Sequence, residues 1–278
     1  MRFGSLATVL ALIGGSLLTA CGSGGGGSNS GTAQVRLVNA SVGYSSLDYA
    51  VGGTAVSTAI GYAKAGDYKG VDTGATASQV QTGGTTLASL TPTLAGGSHY
   101  SVIAYGWSGA LKTTLLLEEE TAPTASGTAK LLVLNLAPDA GTVDTYLTAS
   151  TDTLDAATPT ASSVAGGSSS GYLSVNSGTY RLRITAAGAR GDLRLDIPSI
   201  TLDSQKVHTL IITPTQGGKL VNAVLMQQQG AVSNYAATTA RARVAAAISG
   251  NPQVNVNFSG TSLMDQTVAP QIGEYKSL

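Results

Sequence analysis

Cysteine and histidine are nearly missing from this sequence, and their shortage excludes several classes of site. The single cysteine, Cys21, cannot form a disulfide within the chain and cannot build a cysteine metal site. The two histidines, His99 and His208, fall well short of a zinc ligand set. We therefore expect no metal ion and no diffusible cofactor.

Charge is scarce as well. Only 11% of the residues are charged, and Lys plus Arg equals Asp plus Glu at 15 each. Nucleic-acid binding needs a clustered basic surface that displaces counterions, whereas the positive charges here are scattered singly. The sequence therefore predicts no nucleic-acid partner. Low charge with abundant Thr, Ser, Gly and Ala is typical of an extracytoplasmic β protein with polar, uncharged faces.

Several catalytic motifs are also absent. The sequence contains no S-x-x-K, no H-E-x-x-H and no phosphate-binding G-x-x-x-x-G-K-[ST]. His99 and His208 have no nucleophile partner in a recognisable motif, so we interpret both as ordinary strand residues. We predict that the protein is not an enzyme. A triad assembled from distant residues stays open, because triads are defined by geometry.

The amino terminus has the order of an export signal. An apolar run from Leu6 to Leu18 is too short and too broken for a transmembrane helix, which needs about 20 apolar residues. The run ends in Leu18-Thr19-Ala20-Cys21, which resembles the lipobox of bacterial lipoproteins. The resemblance implies that signal peptidase recognises Leu18, Thr19 and Ala20, and that Cys21 receives diacylglycerol and an N-acyl lipid. An ordinary signal followed by a buried cysteine is the alternative.

A flexible tether follows the predicted lipid anchor. We assign residues 1–20 to the signal peptide and residues 21–32 to the lipidated cysteine and its tether. The segment Gly22 to Gly31 is expected to behave as a flexible coil with a root-mean-square end-to-end distance of roughly 17 Å. We expect a lipid-anchored protein of the cell envelope whose partner is the membrane. By resemblance to known sorting, Gly22 after the cysteine favours the outer membrane if the host is Gram-negative.

The remainder of the chain has the pattern of β-strands. Short apolar or alternating runs, such as Tyr100 to Tyr105 and Leu111 to Leu117, recur between Gly, Ser, Asn and Asp clusters. Paired glycines at Gly52-Gly53 suit a tight hairpin, because such turns need positive φ angles. The sequence predicts an all-β fold.

The chain is also internally repetitive. The segment Ala33 to Asn39 aligns with Ala129 to Asn135, and in the same alignment Asp48 falls opposite Asp144 without a gap. A third start lies at Ala240 to Ala246. Each full copy has the size and turn spacing of an immunoglobulin-like sandwich. The predicted units are a first sandwich at 33–123, a second at 128–231 and a partial third repeat at 239–278.

The junctions and the insertion lead to further expectations. The linkers at 121–127 and 233–239 are short, so we expect the sandwiches to touch and form a semi-rigid rod. The second copy is eight residues longer than the first between Asp144 and Tyr172, and this predicts a surface loop over Thr151 to Gly171. The partial repeat is truncated, packs on the second sandwich, or pairs with the edge of another chain.

A family resemblance rests on the start of the second copy. The segment from Ala129 to Asp139, followed by Val143 to Leu147, has a strand ending in Asn, a small-Pro-Asp turn and a Val-Asp-x-Tyr strand. It resembles the bacterial envelope family numbered 4397 among the domains of unknown function. The first copy departs from that pattern with Val42-Gly43, and the third with Asn255. The resemblance implies β-sandwich modules of unassigned function.

The carboxylates have functional and structural interpretations. Asp48 and Asp144 could be ligand or metal carboxylates, but acceptors of backbone N–H groups at a turn are the favoured interpretation. Glu118 to Glu120 is interpreted as a solvated strand end, because the second copy has Met226 to Gln229 there.

Two further features have both interpretations. Arg190-Gly191-Asp192 spells an integrin-binding tripeptide, but it is also good hairpin chemistry and is treated as chance. Trp107 and Tyr105 are expected in the core, with a sugar-stacking platform as the alternative.

These observations together favour a non-catalytic, lipid-anchored envelope protein whose sandwiches act as structural or binding surfaces for an unknown protein or glycan partner. The first alternative is an adhesin or carbohydrate-binding lipoprotein, which predicts an exposed aromatic or loop patch along residues 151–171. The second is an envelope hydrolase with an unrecognised site.

Overall fold

The chain is all-β, as its sequence predicts. A computed structural model describes residues 31–216 and 218–278. The predicted signal peptide, Cys21 and the tether up to residue 30 lie outside these residues. The helix content of the described part is a single 3₁₀ turn, Pro138–Ala140, and none of its helices has the length and apolar character needed to cross a membrane.

The first copy is a sandwich of two packed sheets. Its strands are β1 (Thr32–Asn39), β2 (Ser46–Val51), β3 (Thr54–Gly61), β4 (Lys64–Ala65), β5 (Lys69–Asp72), β6 (Gly74–Ala75), β7 (Ser78–Thr82), β8 (Thr85–Leu90), β9 (Thr93–Leu94), β10 (His99–Trp107) and β11 (Ala110–Leu117). One sheet has the order β11-β10-β1, with β4 and β5 both pairing β1; the other has the order β3-β2-β7-β8. The core between them contains the fully buried side chains of Leu37, Leu47 and Tyr49.

The second copy repeats this plan. Its strands are β12 (Thr128–Asn135), β13 (Val143–Thr148), β14 (Ala161–Val164), β15 (Ser169–Asn176), β16 (Gly178–Ala186), β17 (Ala189–Leu202), β18 (Val207–Pro214), β19 (Val221–Gln227) and β20 (Val232–Tyr235). The sheets have the orders β15-β12-β18-β19-β20 and β14-β13-β16-β17. In both copies the first strand pairs in parallel with a late strand, β1 with β10 and β12 with β18.

The partial third copy forms three short ladders. Its strands are β21 (Arg241–Ala242), β22 (Ala245–Ala246), β23 (Gln253–Phe258), β24 (Thr261–Val268), β25 (Gln271–Ile272) and β26 (Lys276–Ser277). They pair as β21-β26, β22-β25 and β23-β24. Its buried core is small, with Ala246, Met264 and Ala269, because a few strands cannot enclose more. Phe258 in β23 remains 54% exposed, whereas Val51, which occupies the matching place in β2, is 5% exposed.

The two sandwiches share a buried apolar contact. Its buried members are Val38, Ala40, Ala63 and Ile103 from the first copy and Leu134, Leu136, Ile211, Val224 and Met226 from the second. The sandwiches therefore touch, as expected, and they also share a small hydrophobic core at their contact. The reason lies in the outward faces of β1 and β12, which carry apolar residues where a solvated sheet would carry polar ones.

The predicted loop over Thr151 to Gly171 is wrong in its extent. The irregular segment runs from residue 149 to residue 160, and β14 then pairs with β13 before β15 begins at Ser169. The prediction failed because β14 is short and rich in Ser and Ala, so the burial of its first and last residues was not visible as an apolar run.

Candidate functional site

Asp48 and Asp144 have the same structural task in the two sandwiches. The Oδ1 atom of Asp48 accepts the backbone N–H of Ala59 at 2.7 Å, and that of Asp144 accepts the N–H of Ser163 at 2.7 Å. Ala59 and Ser163 both have φ of +53°. Each aspartate therefore satisfies a backbone N–H that is turned out of the ladder, at a point where the strand register shifts.

The partial third repeat uses the same device with a different residue. Asn255 accepts the backbone N–H of Gln266 at 2.5 Å through its Oδ1 atom, and Gln266 has φ of +43°. An amide oxygen is sufficient for this bond, which explains why Asn255 can stand where the first two copies have Asp48 and Asp144. The structure supports the framework interpretation, and the described residues contain no group of three or more His, Cys, Asp or Glu that could hold a metal ion.

Asn39 and Asn135, which end the first strand of each copy, are a second framework pair. The Nδ2 atom of Asn39 donates to the carbonyl oxygens of Tyr44 and Ile60, and its Oδ1 atom accepts the N–H of Ser41. Asn135 makes the equivalent three bonds in the second sandwich. In the sequence these residues stand out only as part of the repeat and of the family pattern. An asparagine that ends an apolar strand in both copies is the sequence signal for a structural role.

Glu118 is not a solvated strand end. Its side chain is 1% exposed and accepts two hydrogen bonds from the Nη2 atom of Arg36, at 3.0 and 3.2 Å. The backbone N–H of Gln229 donates to it at 2.5 Å, and the Ser101 hydroxyl donates to it as well. Arg36 also donates to the carbonyl of Gly230 at 2.9 Å, so this pair joins the two sandwiches.

Of the next two glutamates, Glu120 supports the same junction, whereas Glu119 is exposed and, in the described part of the chain, contacts only the first sandwich. Glu119 contacts His99 at 3.1 Å through the Nδ1 atom, and Glu120 forms an ion pair with Lys130 of the second sandwich. The backbone N–H of Glu120 donates to the side chain of Gln228 at 3.1 Å. The solvated interpretation fits the exposed Glu119 but is wrong for Glu118, because the partners of Glu118 come from distant positions that a comparison of the two copies could not show.

The ring of Tyr68 packs beside the Arg36–Glu118 pair. The guanidinium of Arg36 lies 4.5 Å from the centroid of its ring, and the His99 ring contacts it edge-on. Burial, reinforced by the charge of Glu118, raises the pKa of Tyr68, so its hydroxyl stays protonated. These polar groups are therefore arranged to hold the junction together.

His208 is a buried strand residue. Its Nε2 atom accepts the backbone N–H of Asp203 at 3.1 Å, and burial lowers its pKa, which keeps the ring neutral. Neither His208 nor His99 hydrogen-bonds a serine or cysteine among the residues that the structure describes. The two histidines are thus not brought together with a nucleophile.

One serine-containing segment has the spacing of a nucleophile elbow without its structure. The segment Gly167 to Gly171 fits G-x-S-x-G, with Ser169 at its centre. Such an elbow needs a strand, a sharp turn and a following helix, but Ser169 begins β15 and remains in a sheet. This spacing therefore has a structural origin in the turn before β15.

The Arg-Gly-Asp tripeptide is engaged within the chain. The carboxylate of Asp192 binds Arg194 at 2.7 Å and Arg241 of the third repeat at 2.9 Å. Burial alone would raise the pKa of Asp192, but the hydrogen bonds and charges of the arginines outweigh it and lower the pKa. Arg190 donates to the carbonyl of Ala157 at 2.9 Å. Both charged ends of the tripeptide are held by the fold.

Trp107 lies on the β10–β11 hairpin. This hairpin explains why the first copy has Gly43 where the second copy has Asp139. Both Trp107 and Tyr105 are partly buried, and Tyr105 packs against the contact between the sandwiches. A Cβ atom at Gly43 would lie 2.2 Å from the backbone nitrogen of Ser108 and 2.9 Å from the Cα atom of Trp107. The first copy therefore has no room for the aspartate that the second copy carries at this place.

A candidate binding surface surrounds Tyr180 in β16. Two hollows of about 400 and 450 Å³ share the side chains of Tyr180 and Leu147. We name them together the Tyr180 groove. The first hollow includes Ser174 and Asn176 of β15, and the second is formed by the loop at residues 149–158. Tyr180 is partly exposed, and its hydroxyl donates to the carbonyl of Asn176 at 2.8 Å, which holds the ring in place.

The comparisons with known proteins give a match to one family model and no function. No curated protein matches this chain. The match to a family model covers the first sandwich and the first two strands of the second copy. Residues 33–146 match the family described as "Domain of unknown function (DUF4397)", so the family resemblance of the sequence is confirmed.

Proposed function

We propose that this chain is a non-catalytic, lipid-anchored protein of the cell envelope that works through the surfaces of its β-sandwiches. One observation carries the proposal: the carboxylates that could have performed chemistry are bound by the protein's own donors. Glu118 holds the two sandwiches together, Asp144 holds a bulge, and Asp192 holds the third repeat. The proposed function therefore depends on what the exposed surfaces of the β-sandwiches bind.

The proposed anchor is supported by sequence and by the position of the first strand. Leu18-Thr19-Ala20-Cys21 precedes the Gly/Ser segment, and β1 begins at Thr32, immediately after it. A tether of roughly 17 Å would keep the first sandwich close to the membrane. Several acyl chains on Cys21 would make this attachment stable. An outer-membrane location is part of the proposal if the host is Gram-negative.

Lipidation is tested by metabolic labelling with a fatty acid followed by membrane fractionation. We expect label on the wild-type protein and none on Cys21→Ser, which should also leave the membrane fraction. Ser28→Ala, a change within the tether, is the matched control and should be labelled as the wild type is. Label that persists on Cys21→Ser would overturn the anchor.

A carbohydrate-binding function is the second candidate, because the Tyr180 groove has an aromatic ring between two polar hollows. Part of this groove is the 149–158 loop, which lies in the region where the sequence predicted a patch. The Arg-Gly-Asp tripeptide does not favour an adhesin, since Asp192 is bound to two arginines. A hydrolase remains the least supported candidate, because no described histidine bonds a serine.

A further inference from the structure

We propose that the Tyr180 groove of the second sandwich binds an uncharged oligosaccharide, with sugar rings in both hollows and Tyr180 between them. This inference rests on the proposed function and names its ligand class. Each hollow, at about 400 and 450 Å³, falls in the size range of small-molecule sites. Because the hollows share Tyr180 and Leu147, a single extended ligand can contact both.

The ring of Tyr180 is suited to stacking. It is partly exposed, and its hydroxyl bond to the Asn176 carbonyl fixes its position before any ligand arrives. Aromatic rings provide a large contact area at low entropic cost, and a ring that is already ordered loses little more on binding. The neighbouring Leu147 adds a second apolar surface for the C–H faces of a sugar.

Polar side chains without internal partners surround this ring. Ser174 and Asn176 in the first hollow, and Thr153 and Thr158 in the second, are exposed and make no side-chain hydrogen bond to any residue in the described part of the chain. Hydroxyl and amide groups both donate and accept, which matches the hydroxyl groups of a sugar.

The described lining of the groove has no cation, which disfavours an anionic ligand and favours an uncharged one. Asp152 is the one ionisable side chain apart from Tyr180 among the lining residues, and it accepts the backbone N–H of Ala149 at 3.1 Å. The nearby Arg181 is bound to Asp196 through two hydrogen bonds. A phosphate or uronic acid would find no free cation in the lining.

The first sandwich shows that the fold does not require this arrangement. The pairs Gly178–Leu202 and Gly74–Leu94 are equivalent in the two copies, and two residues later the second copy has Tyr180 where the first has Thr76. The first copy also lacks the eight-residue insertion that forms the second hollow. Both components of the groove therefore occur together, and only in the second copy of the described chain.

The test uses residues 21–278 with Cys21→Ser, so that no lipid is attached, in isothermal titration calorimetry. The probes are hexasaccharides of α-linked glucose, β-linked glucose and β-linked N-acetylglucosamine, with hexagalacturonate as the charged comparison. We expect at least one neutral hexasaccharide to bind, and Tyr180→Ala to weaken that binding at least about tenfold. Tyr275→Ala, which removes an exposed tyrosine of the third repeat, is the matched control and should leave the affinity unchanged.

A second variant separates loss of binding from loss of folding. Asn176→Ala removes an exposed amide without a partner, so it should leave the unfolding midpoint unchanged and weaken binding several-fold. The inference is overturned if no neutral hexasaccharide binds, if hexagalacturonate binds more tightly, or if binding survives both Tyr180→Ala and Asn176→Ala.

The mass of the hexasaccharide recovered after the titration tests the proposed function separately. A shortened sugar would contradict the non-catalytic proposal, and its dependence on Tyr180 would still support the groove.

Discussion

Arg36 and Glu118, 82 positions apart in the chain, meet through two hydrogen bonds of 3.0 and 3.2 Å at the contact between the sandwiches. Their side chains are 4% and 1% exposed. The carboxylate also receives a backbone N–H from Gln229, which follows β19 of the second sandwich. A buried pair of this kind is sensitive to the loss of one member, because the remaining group keeps its desolvation cost without its partner.

We predict that Glu118→Gln lowers the free energy of unfolding by about 3–5 kcal/mol, since it leaves the Arg36 guanidinium buried without a counter-charge. Urea unfolding followed by circular dichroism measures this. Glu119→Gln changes a side chain that is 38% exposed and should cost less than about 1 kcal/mol. Removing both charges with Arg36→Met and Glu118→Leu should recover the part of the loss that comes from the unpaired charge, while the Gln229 N–H and the Gly230 carbonyl still lose their partners. A Glu118→Gln protein as stable as Glu119→Gln would contradict this role.

The two framework aspartates should differ in their contribution to stability. Asp144 is 4% exposed and accepts a second N–H, from Gly188 at 2.8 Å, whereas Asp48 is partly exposed and accepts one. Each unsatisfied buried N–H costs about 1–3 kcal/mol. We therefore expect Asp144→Ala to destabilise the protein by at least about 1 kcal/mol more than Asp48→Ala does, measured by urea unfolding. Equal losses would mean that the second bond adds nothing.

Burial of His208 should make stability depend on pH. Because burial lowers its pKa in the folded state below the ordinary value of 6.5, the unfolded state binds more protons as the pH falls through 6.5. The free energy of unfolding should therefore rise with pH below about 6.5 and level off above it. Urea unfolding between pH 5 and 8 would show this.

The His208 prediction has an internal comparison. His208→Gln can still offer an acceptor to the Asp203 N–H but has no proton to gain, so its slope below pH 6.5 should be smaller than that of the wild type. His99→Gln changes a side chain that is 29% exposed and serves as the control. A slope that disappears in His99→Gln and persists in His208→Gln would assign the titration to the other histidine.

A side chain at Gly43 should destabilise the first sandwich. A Cβ atom there would lie 2.2 Å from the Ser108 nitrogen, so the hairpin between β10 and β11 must move. We expect Gly43→Ala to cost at least about 1–3 kcal/mol, as overpacking commonly does. Gly191→Ala adds a Cβ atom with no atom within 4 Å and should be nearly neutral in thermal unfolding. Similar midpoints for the two variants would show that the hairpin adapts freely.

Much of the architecture was predictable because its signals are local. Apolar runs separated by turn residues predicted the strands, and the matching offsets of Asp48 and Asp144 predicted two equivalent copies. The boundaries of the 151–171 loop were wrong because β14 carries small residues. The extent of the sandwich contact was missed, although the outward row of Leu132, Leu134 and Leu136 in and just after β12 was a readable sign of a strand buried on both faces.

The sequence by itself determined the all-β class and the resemblance to the matched family model, since periodicity, glycine turns and recurring motifs are properties of short segments. Only the tertiary structure decided what the polar side chains do. Arg36 reaches Ser101 65 positions away and Gly230 194 positions away, and composition contains no information about such partners. The Tyr180 groove was likewise decided by packing, because its ring, its loop and its hydroxyl groups come from separate strands that adjoin only in the folded sandwich.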